Sequence, residues 1–436
     1  MLYPASGILP NPLSSPPNVD IISNPDRYVA TPPLARNTHF SAPNLDIQPE
    51  HNLTWITHNQ NATRALFLCI ERRDCAQNQT KVVLIPSFDY IIPLQGGYIG
   101  GEAIWALSTF QALRNMGYTV LFAANMEGAV HLYHIFGNLV KIVIASVDQA
   151  SKCFRSTTCV RSAANPPGIP AWKIFSQHFW QNPANPLGAK WTLSPEPYRG
   201  GTTYLGYSIE GQCAKYPFIP HGQRKAQVYI LAKFLKFFHP DSRTWKPEFF
   251  DAATNATGLS FVMAARDLPG APKISPSDLP ASLENLIDPS GRSGLKQAEF
   301  YDVLSRSVAL VGVGNPMLSP TPYDALCLGV PFVNPVKRWD PKNPDDRTKW
   351  QTQHDQLRHL SAPYVYNVRV GDRDGFVNAI KDAAANPIQS HVLERMKMSS
   401  VEHRLGNIIE HDWKAEAAEL LRAREGGSVQ GATFLL

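Results

Sequence analysis

From residue 81 onward, short apolar runs alternate with longer amphipathic ones. Lys81-Val-Val-Leu-Ile-Pro86 has the length and β-branched content of a buried strand. Residues 102–116 place Ile104, Leu107, Phe110, Ala112 and Leu113 on one side of a helix, and Gly117 stands where a C-terminal cap belongs. The apolar runs 118–123 and 140–145 predict two more strands, with a helix at 130–139 between them. Strands alternating with helices predict a parallel sheet covered on both faces. Residues 151–200, rich in Pro, Asn, Trp and Ser, read as long loops with short helices, and 51–80 as a polar stretch. A strand at 203–209 and a helix at 226–238 follow. A second α/β stretch has strands at 259–264, 308–312, 331–334 and 364–368 and helices at 295–305, 322–328 and 375–385. Residues 335–362 read as a polar loop, and 390–423 as a polar helical tail. The pattern divides the chain into a Pro-rich stem (1–50), a first α/β lobe (51–215), a second (216–390) and a tail (391–436).

Composition narrows the class. With 18% charged and 44% apolar residues in 436, the chain buries a sizeable core, which excludes global disorder, collagen, coiled coil and a small disulfide scaffold. A net charge of +5 without a Lys/Arg run does not point to nucleic acid. The first fifty residues hold ten prolines and no apolar run long enough for a signal peptide or a membrane span. The six cysteines match no zinc spacing; Cys69 with Cys75, and Cys153 with Cys159, are each placed to close a short loop, and spacing alone favours disulfides and free thiols equally. Four glycosylation sequons, at Asn52, Asn61, Asn78 and Asn255, lean toward the secretory route.

Two loops carry candidate chemistry. Gly96-Gly97-Tyr-Ile-Gly100-Gly101 leads into a helix with Glu102 in its first turn. Glycines let a backbone approach a ligand closely, and a carboxylate held ionised by the helix dipole can accept a proton. On spacing alone, complementing the dipole is the commoner reason for an acid at this position. A nicotinamide-dinucleotide site is disfavoured, because the strict G-x-G-x-x-G spacing and the acid after the next strand are missing. In the second loop, a strand ends at Gly312, and Val313-Gly314 leads through Pro and Ser to Thr321, Pro322 and Asp324. Thr321 reads as an N-cap, Pro322 as the first helical residue and Asp324 as the acid of a capping box. A diphosphate fits on this loop, with ribose hydroxyls on Asp324, since a carboxylate accepts two hydrogen bonds. Lys337, and less directly Arg224, Lys225 and Arg338, are cations for an anionic ligand, or solvated surface charges. Asp372-Arg-Asp374 reads as turn and N-cap chemistry, and His131 with His134 as ordinary helix residues. Trp172, Trp180 and Trp191 are placed to stack on sugars or to anchor loops.

The run 311–334, with Phe332-Val-Asn-Pro335, resembles the donor-site segment of the α-1,6-mannosylglycoprotein 6-β-N-acetylglucosaminyltransferase family (N-acetylglucosaminyltransferase V, glycosyltransferase family 18). The loop Gly96–Glu102 resembles that family's Gly-rich turn and catalytic glutamate, with Gly101 inserted. Tyr204-Leu-Gly-Tyr207 resembles its "FLGF" strand, and 363–368 its carboxyl-terminal strand. The resemblance covers residues 80–390 in patches. It implies a GT-B-like α/β fold, two Rossmann-like lobes facing across a cleft. It implies inverting transfer of N-acetylglucosamine from UDP-GlcNAc, in β-1,6 linkage, to a mannose of a glycoprotein N-glycan. It further implies no cofactor, no metal and a Golgi-lumen enzyme, whose membrane anchor is not visible in this chain. By resemblance Glu102 is the base, Gly97, Gly100 and Gly101 lie near the acceptor, and Gly312, Gly314, Thr321, Asp324 and Lys337 hold the donor. This chain has Asp324 where the family's helix start contains Glu. Another donor or acceptor, and a glycan-binding relative without catalysis, are the competing readings.

Overall fold

The computed structural model describes residues 54–96, 100–291 and 294–436. The stem, Asn52 and Gly97 lie outside the described residues.

The first lobe runs α1 (Trp55–Arg72), β1 (Val82–Pro86), α2 (Phe88–Leu94), α3 (Gly101–Asn115), β2 (Thr119–Ala123), α4 (Met126–Phe136), β3 (Val140–Ser146), α5 (Val147–Arg155), β4 (Ile174–Gln177), β5 (Thr192–Ser194) and β6 (Thr203–Tyr204). Its strands form one parallel sheet in the order β2-β1-β3-β4-β5-β6. A short helix, α6 (Glu210–Cys213), lies in the connection to the second lobe. That lobe runs β7 (Gln227–Leu231), α7 (Pro247–Thr257), β8 (Ser260–Met263), β9 (Leu283–Asn285), α8 (Gln297–Ser305), β10 (Ala309–Gly312), α9 (Thr321–Cys327), β11 (Phe332–Arg338), β12 (Gln351–Thr352), β13 (Val365–Arg369) and α10 (Arg373–Ala385). Its strand order is β12-β11-β10-β7-β8-β9, with β13 beside β11 and only β12 antiparallel. The chain is thus two Rossmann-like α/β lobes, the fold class expected. In each sheet the first strand lies inside the order, so the winding reverses beside it: between β1 and β3, and between β7 and β10. Ligands of open α/β sheets collect at such reversals, beyond the carboxyl ends of the strands.

Four expectations need correction. Residues 226–238 are not a helix. Gln227–Leu231 is β7, buried at every position, followed by a single 3₁₀ turn, Leu235–Phe238. An apolar run this short is as consistent with a buried strand as with a helix, and burial between two strands decided for β. The polar stretch after residue 53 contains α1, which packs on the sheet through few residues. Leu66 and Cys69 are buried, and the Asn59 amide exchanges two hydrogen bonds with the Phe122 backbone, at 2.7 and 2.9 Å. The loops of 151–200 hold β4 and β5, strands too short for a period to show. The strand at 203–209 is only the two residues of β6.

Two helices after the second lobe, α11 (Met398–Glu410) and α12 (Trp413–Glu425), return to the first. Trp413 is buried against Phe175 and Trp191, with ring centroids 4.8 and 5.4 Å away. Glu410 accepts hydrogen bonds from Lys81 and Tyr118, each at 2.8 Å. Disulfides join Cys69 to Cys75, Cys153 to Cys159 and Cys213 to Cys327. The first two are the pairs their spacing suggested. The third ties the interlobe connection to α9, and no sequence spacing announced it. Among the described residues, no helix is long and apolar enough to cross a membrane.

Candidate active site between the lobes

The start of α3, which follows the loop after α2, and the loop after β10 meet. A Cβ built on Gly101 would lie 3.3 Å from the Pro320 ring of the second lobe and 3.5 Å from Phe179 of the first. Gly100 is the N-cap of α3, Gly101 its first residue and Glu102 its second. The Glu102 carboxylate is exposed at this meeting point. Its charge reaches Asp89 in the first turn of α2. Burial, and secondarily Glu102, holds the Asp89 carboxyl above its usual range. Exposed large apolar residues on the elements that meet here are Phe88 and Ile92 of α2, Trp180 next to Phe179, and Met317 of the β10 loop. Of the three tryptophans singled out, Trp191 is buried, Trp172 is half-buried, and Trp180 is 48% exposed. Only Trp180 presents its ring to a ligand.

The β10 loop is held from below. The Trp245 indole donates to the Gly312 carbonyl at 2.7 Å. Gly314 has φ +85°, its N–H donates to the Gln353 side chain at 2.8 Å, and any Cβ there would collide with the Thr244 hydroxyl. Glycine is therefore required by backbone angle and by space. Gln353 also donates to the Pro316 carbonyl at 3.0 Å, so one buried amide fixes both sides of the loop. Lys337 reaches over it, with Nζ 3.5 Å from the Gly314 carbonyl, and burial lowers its pKa.

Asp324 needs correction. The N-cap of α9 is Pro320, with no side-chain cap, so Thr321 is the first helical residue and the capping-box reading fails. Asp324 is 2% exposed, and burial pushes its carboxyl up to about 7, against the opposing pull of a Tyr301 hydrogen bond. Its Oδ1 has no partner among the described residues. Holding ribose hydroxyls needs a carboxylate that faces the cleft, and this one faces the interior. Thr321 remains beside the cleft, its N–H and hydroxyl bonded to Ser319.

Arg224 is also not at the site. Its guanidinium donates to the carbonyls of Ile219, Ser307, Leu328 and Gly329 at 2.8–3.3 Å, near the amino ends of β7 and β10. Lys225 lies at that same far end, just before β7. Arg338, at the end of β11, is exposed. Asp372 caps α10 through the Gly375 N–H at 2.8 Å, as expected.

Two clusters escaped sequence reading. Beyond the carboxyl ends of β7 and β8, Lys233, Lys236 and Arg266 surround the Phe234 ring, with charge centres 5.6, 6.0 and 5.4 Å from its centroid. The β7 loop touches the β10 loop through the Thr244 hydroxyl, which donates to the Val313 carbonyl at 2.9 Å. Three cations thus stand beside the reversal point of the second sheet. The second cluster is buried between the lobes. Glu196, following β5, is fully buried and accepts from Tyr323 of α9 at 2.7 Å. Arg395 donates to the same Tyr323 oxygen at 2.7 Å. Burial pushes Glu196 up to about 7, while Arg395, Tyr323 and Arg404 pull the other way. His354, also fully buried, packs its edge on Tyr323 at 4.8 Å, and burial drives it down to about 3.

No family model matches the sequence, and no curated protein matches it. Solved structures align over most of their own length at low identity. An α-glucosyltransferase in complex with UDP and DNA is 11% identical, with 79% of this chain and 100% of that chain covered and a TM-score of 0.41. A UDP-GlcNAc 2-epimerase from Methanocaldococcus jannaschii is 9% identical, with 76% and 99% covered and a TM-score of 0.40. The glycosyltransferase SnogD from Streptomyces nogalater is 12% identical, with 76% and 99% covered and a TM-score of 0.32. Likeness of this degree carries no argument about activity. The fold rests on the sheet topology.

Proposed function

We propose that the protein is an inverting glycosyltransferase of the GT-B type, related to the N-acetylglucosaminyltransferase V family. In this reading it moves N-acetylglucosamine from UDP-GlcNAc, in β-1,6 linkage, to a mannose of a glycoprotein N-glycan. The observation that carries it is the meeting of the α3 start with the β10 loop, Gly101 against Pro320, which brings the segment that bears an exposed glutamate on one lobe to the loop that leaves Gly312 and Gly314 on the other. Glu102 accepts the proton of the mannose 6-hydroxyl as its oxygen attacks the anomeric carbon. The bond from that carbon to the diphosphate oxygen breaks with its electrons, and UDP departs. Negative charge grows on the diphosphate, and Lys337 and the cations around Phe234 stand where they can offset it. Trp180 offers an apolar ring face to the acceptor sugar. The reading needs no cofactor and no metal. The three disulfides, and the exposed sequons Asn61 and Asn255, favour the secretory pathway, with the Golgi lumen as the site of action.

The test is UDP release from UDP-GlcNAc with a mannose-terminated N-glycan, in EDTA, beside Glu102→Gln. Release that depends on acceptor, survives EDTA and is lost in the variant supports the mechanism. Turnover only with another nucleotide sugar would reassign the donor. Sugar binding without release would favour a non-catalytic relative.

A further inference from the structure

Three chain segments converge on one phenol. Tyr323 lies on α9 of the second lobe and is 1% exposed. Its hydroxyl donates to Glu196 of the first lobe and accepts from Arg395 of the returning segment, both at 2.7 Å. The Arg395 guanidinium also lies over the Tyr323 ring, 5.3 Å from its centroid. The returning segment is itself fastened to the first lobe, since Arg404 donates to the carbonyls of Leu205 and Arg395 at 2.7 and 2.8 Å. A carboxylate–phenol–guanidinium chain in a dry interior is stronger than its counterpart in water, and it has one favoured geometry.

Tyr323 stands one helical turn from Pro320, the residue that meets Gly101 beside Glu102. A short helix moves as a rigid piece, so whatever fixes Tyr323 also fixes the β10 loop relative to the base. We propose that Tyr323, gripped by Glu196 and Arg395, is a positioning residue that sets the separation between Glu102 and the donor loop. The inference rests on the transferase reading for its kinetic consequence, but the grip itself is independent of it. Misplacing reacting groups by a fraction of an ångström lowers turnover without weakening the binding of either substrate alone.

The experiment uses the full chain with Tyr323→Phe, which keeps the ring and removes the hydroxyl. Glu196 and Arg395 already stand 4.0 Å apart and can pair directly, so this variant keeps the interface closed to water. Arg395→Lys is the second variant, and it retains charge while losing the planar donor. Expected for Tyr323→Phe are a kcat about tenfold lower, a KM for UDP-GlcNAc within about twofold of the parent and a lower melting temperature, since two buried hydrogen bonds are lost. Amide exchange, followed by mass spectrometry, should rise in α9 and in 195–205, and not in the α10 control. A kcat loss accompanied by faster exchange everywhere, α10 included, would overturn the proposal in favour of a packing role. Exchange and kcat equal to the parent's would also overturn it. If the parent protein transfers no sugar, the transferase reading fails, while the exchange comparison still decides whether Tyr323 holds α9.

Discussion

Glu102 and Asp324 look alike in the sequence: each is an acid in the first turn of a helix that follows a strand and a Gly-rich turn. The structure gives them opposite surroundings. Glu102 is exposed at the junction of the lobes. Asp324 is sealed inside, its carboxyl pushed up to about 7 by burial. An exposed carboxylate is accessible to a substrate, so it can serve chemistry. A buried one acts on the stability of the helix that carries it. What separates them is the element overhead. α3 begins at the junction of the lobes, whereas α9 is covered by the connection and by α8, through the Cys213–Cys327 bond and Tyr301.

The contrast breaks most directly at Glu102. Glu102→Gln is expected to lower transfer by about 10²–10⁴-fold while stability stays within about 0.5 kcal/mol, measured by UDP release and thermal melting. Large destabilisation with retained activity would reverse the two roles. The covering of α9 gives the next effect. Replacing Cys213 and Cys327 by Ser opens a loop of 114 residues, and chain entropy predicts a loss of about 5 kcal/mol, against about 2 for the six-residue loop of Cys69 and Cys75. Denaturant titration of the two double variants compares them.

Asp324 sharpens the contrast through pH. Its folded value of about 7 lies above the ordinary 3.8, so between those values the folded chain holds a proton that the unfolded chain releases. Stability is therefore full below about pH 4 as far as this group is concerned. It is lost as pH rises toward 7, by on the order of 4 kcal/mol. Glu196, raised to about 7 from 4.5, acts with the same sign. Asp324→Asn should flatten the decline in melting temperature between pH 5 and pH 7.5 without abolishing it. A steeper decline in the variant would exclude this assignment. The smallest effect is at Trp180, where Trp180→Ala should raise the acceptor KM by about two- to tenfold and leave the donor KM alone.

Local patterns in the sequence carried about half of the strands. β1, β2, β3, β8, β10 and β13 are apolar runs, and all lie within a residue or two of where the sequence placed them. β7 was misread because full burial erases the alternation that marks a strand. α1 was missed because its buried contacts are few and one of them is an asparagine. Glu102 and the β10 loop were legible, since turn, glycine and acid are neighbours in the chain. The burial of Asp324 was not, because it depends on covering residues far away in sequence. The same limit hid the Glu196–Tyr323–Arg395 grip, whose members lie 127 and 72 residues apart. The carbonyl cage around Arg224 was hidden in the same way. An arginine beside a lysine in a loop reads as surface charge until its acceptors are seen.

The return of α11 and α12 to the first lobe bears on how the protein is made. A ribosome delivers β1 to β6 early, yet the wall that covers Trp191 and Phe175 belongs to residues near the other end. Until Trp413 emerges, those aromatic faces stay wet, and the second lobe has a sheet of its own to complete in the meantime. The lobe translated first is therefore the lobe finished last. A chain cut near residue 390 would keep every strand of the second sheet and leave the first lobe unsealed, a natural client for chaperones of the compartment in which it folds.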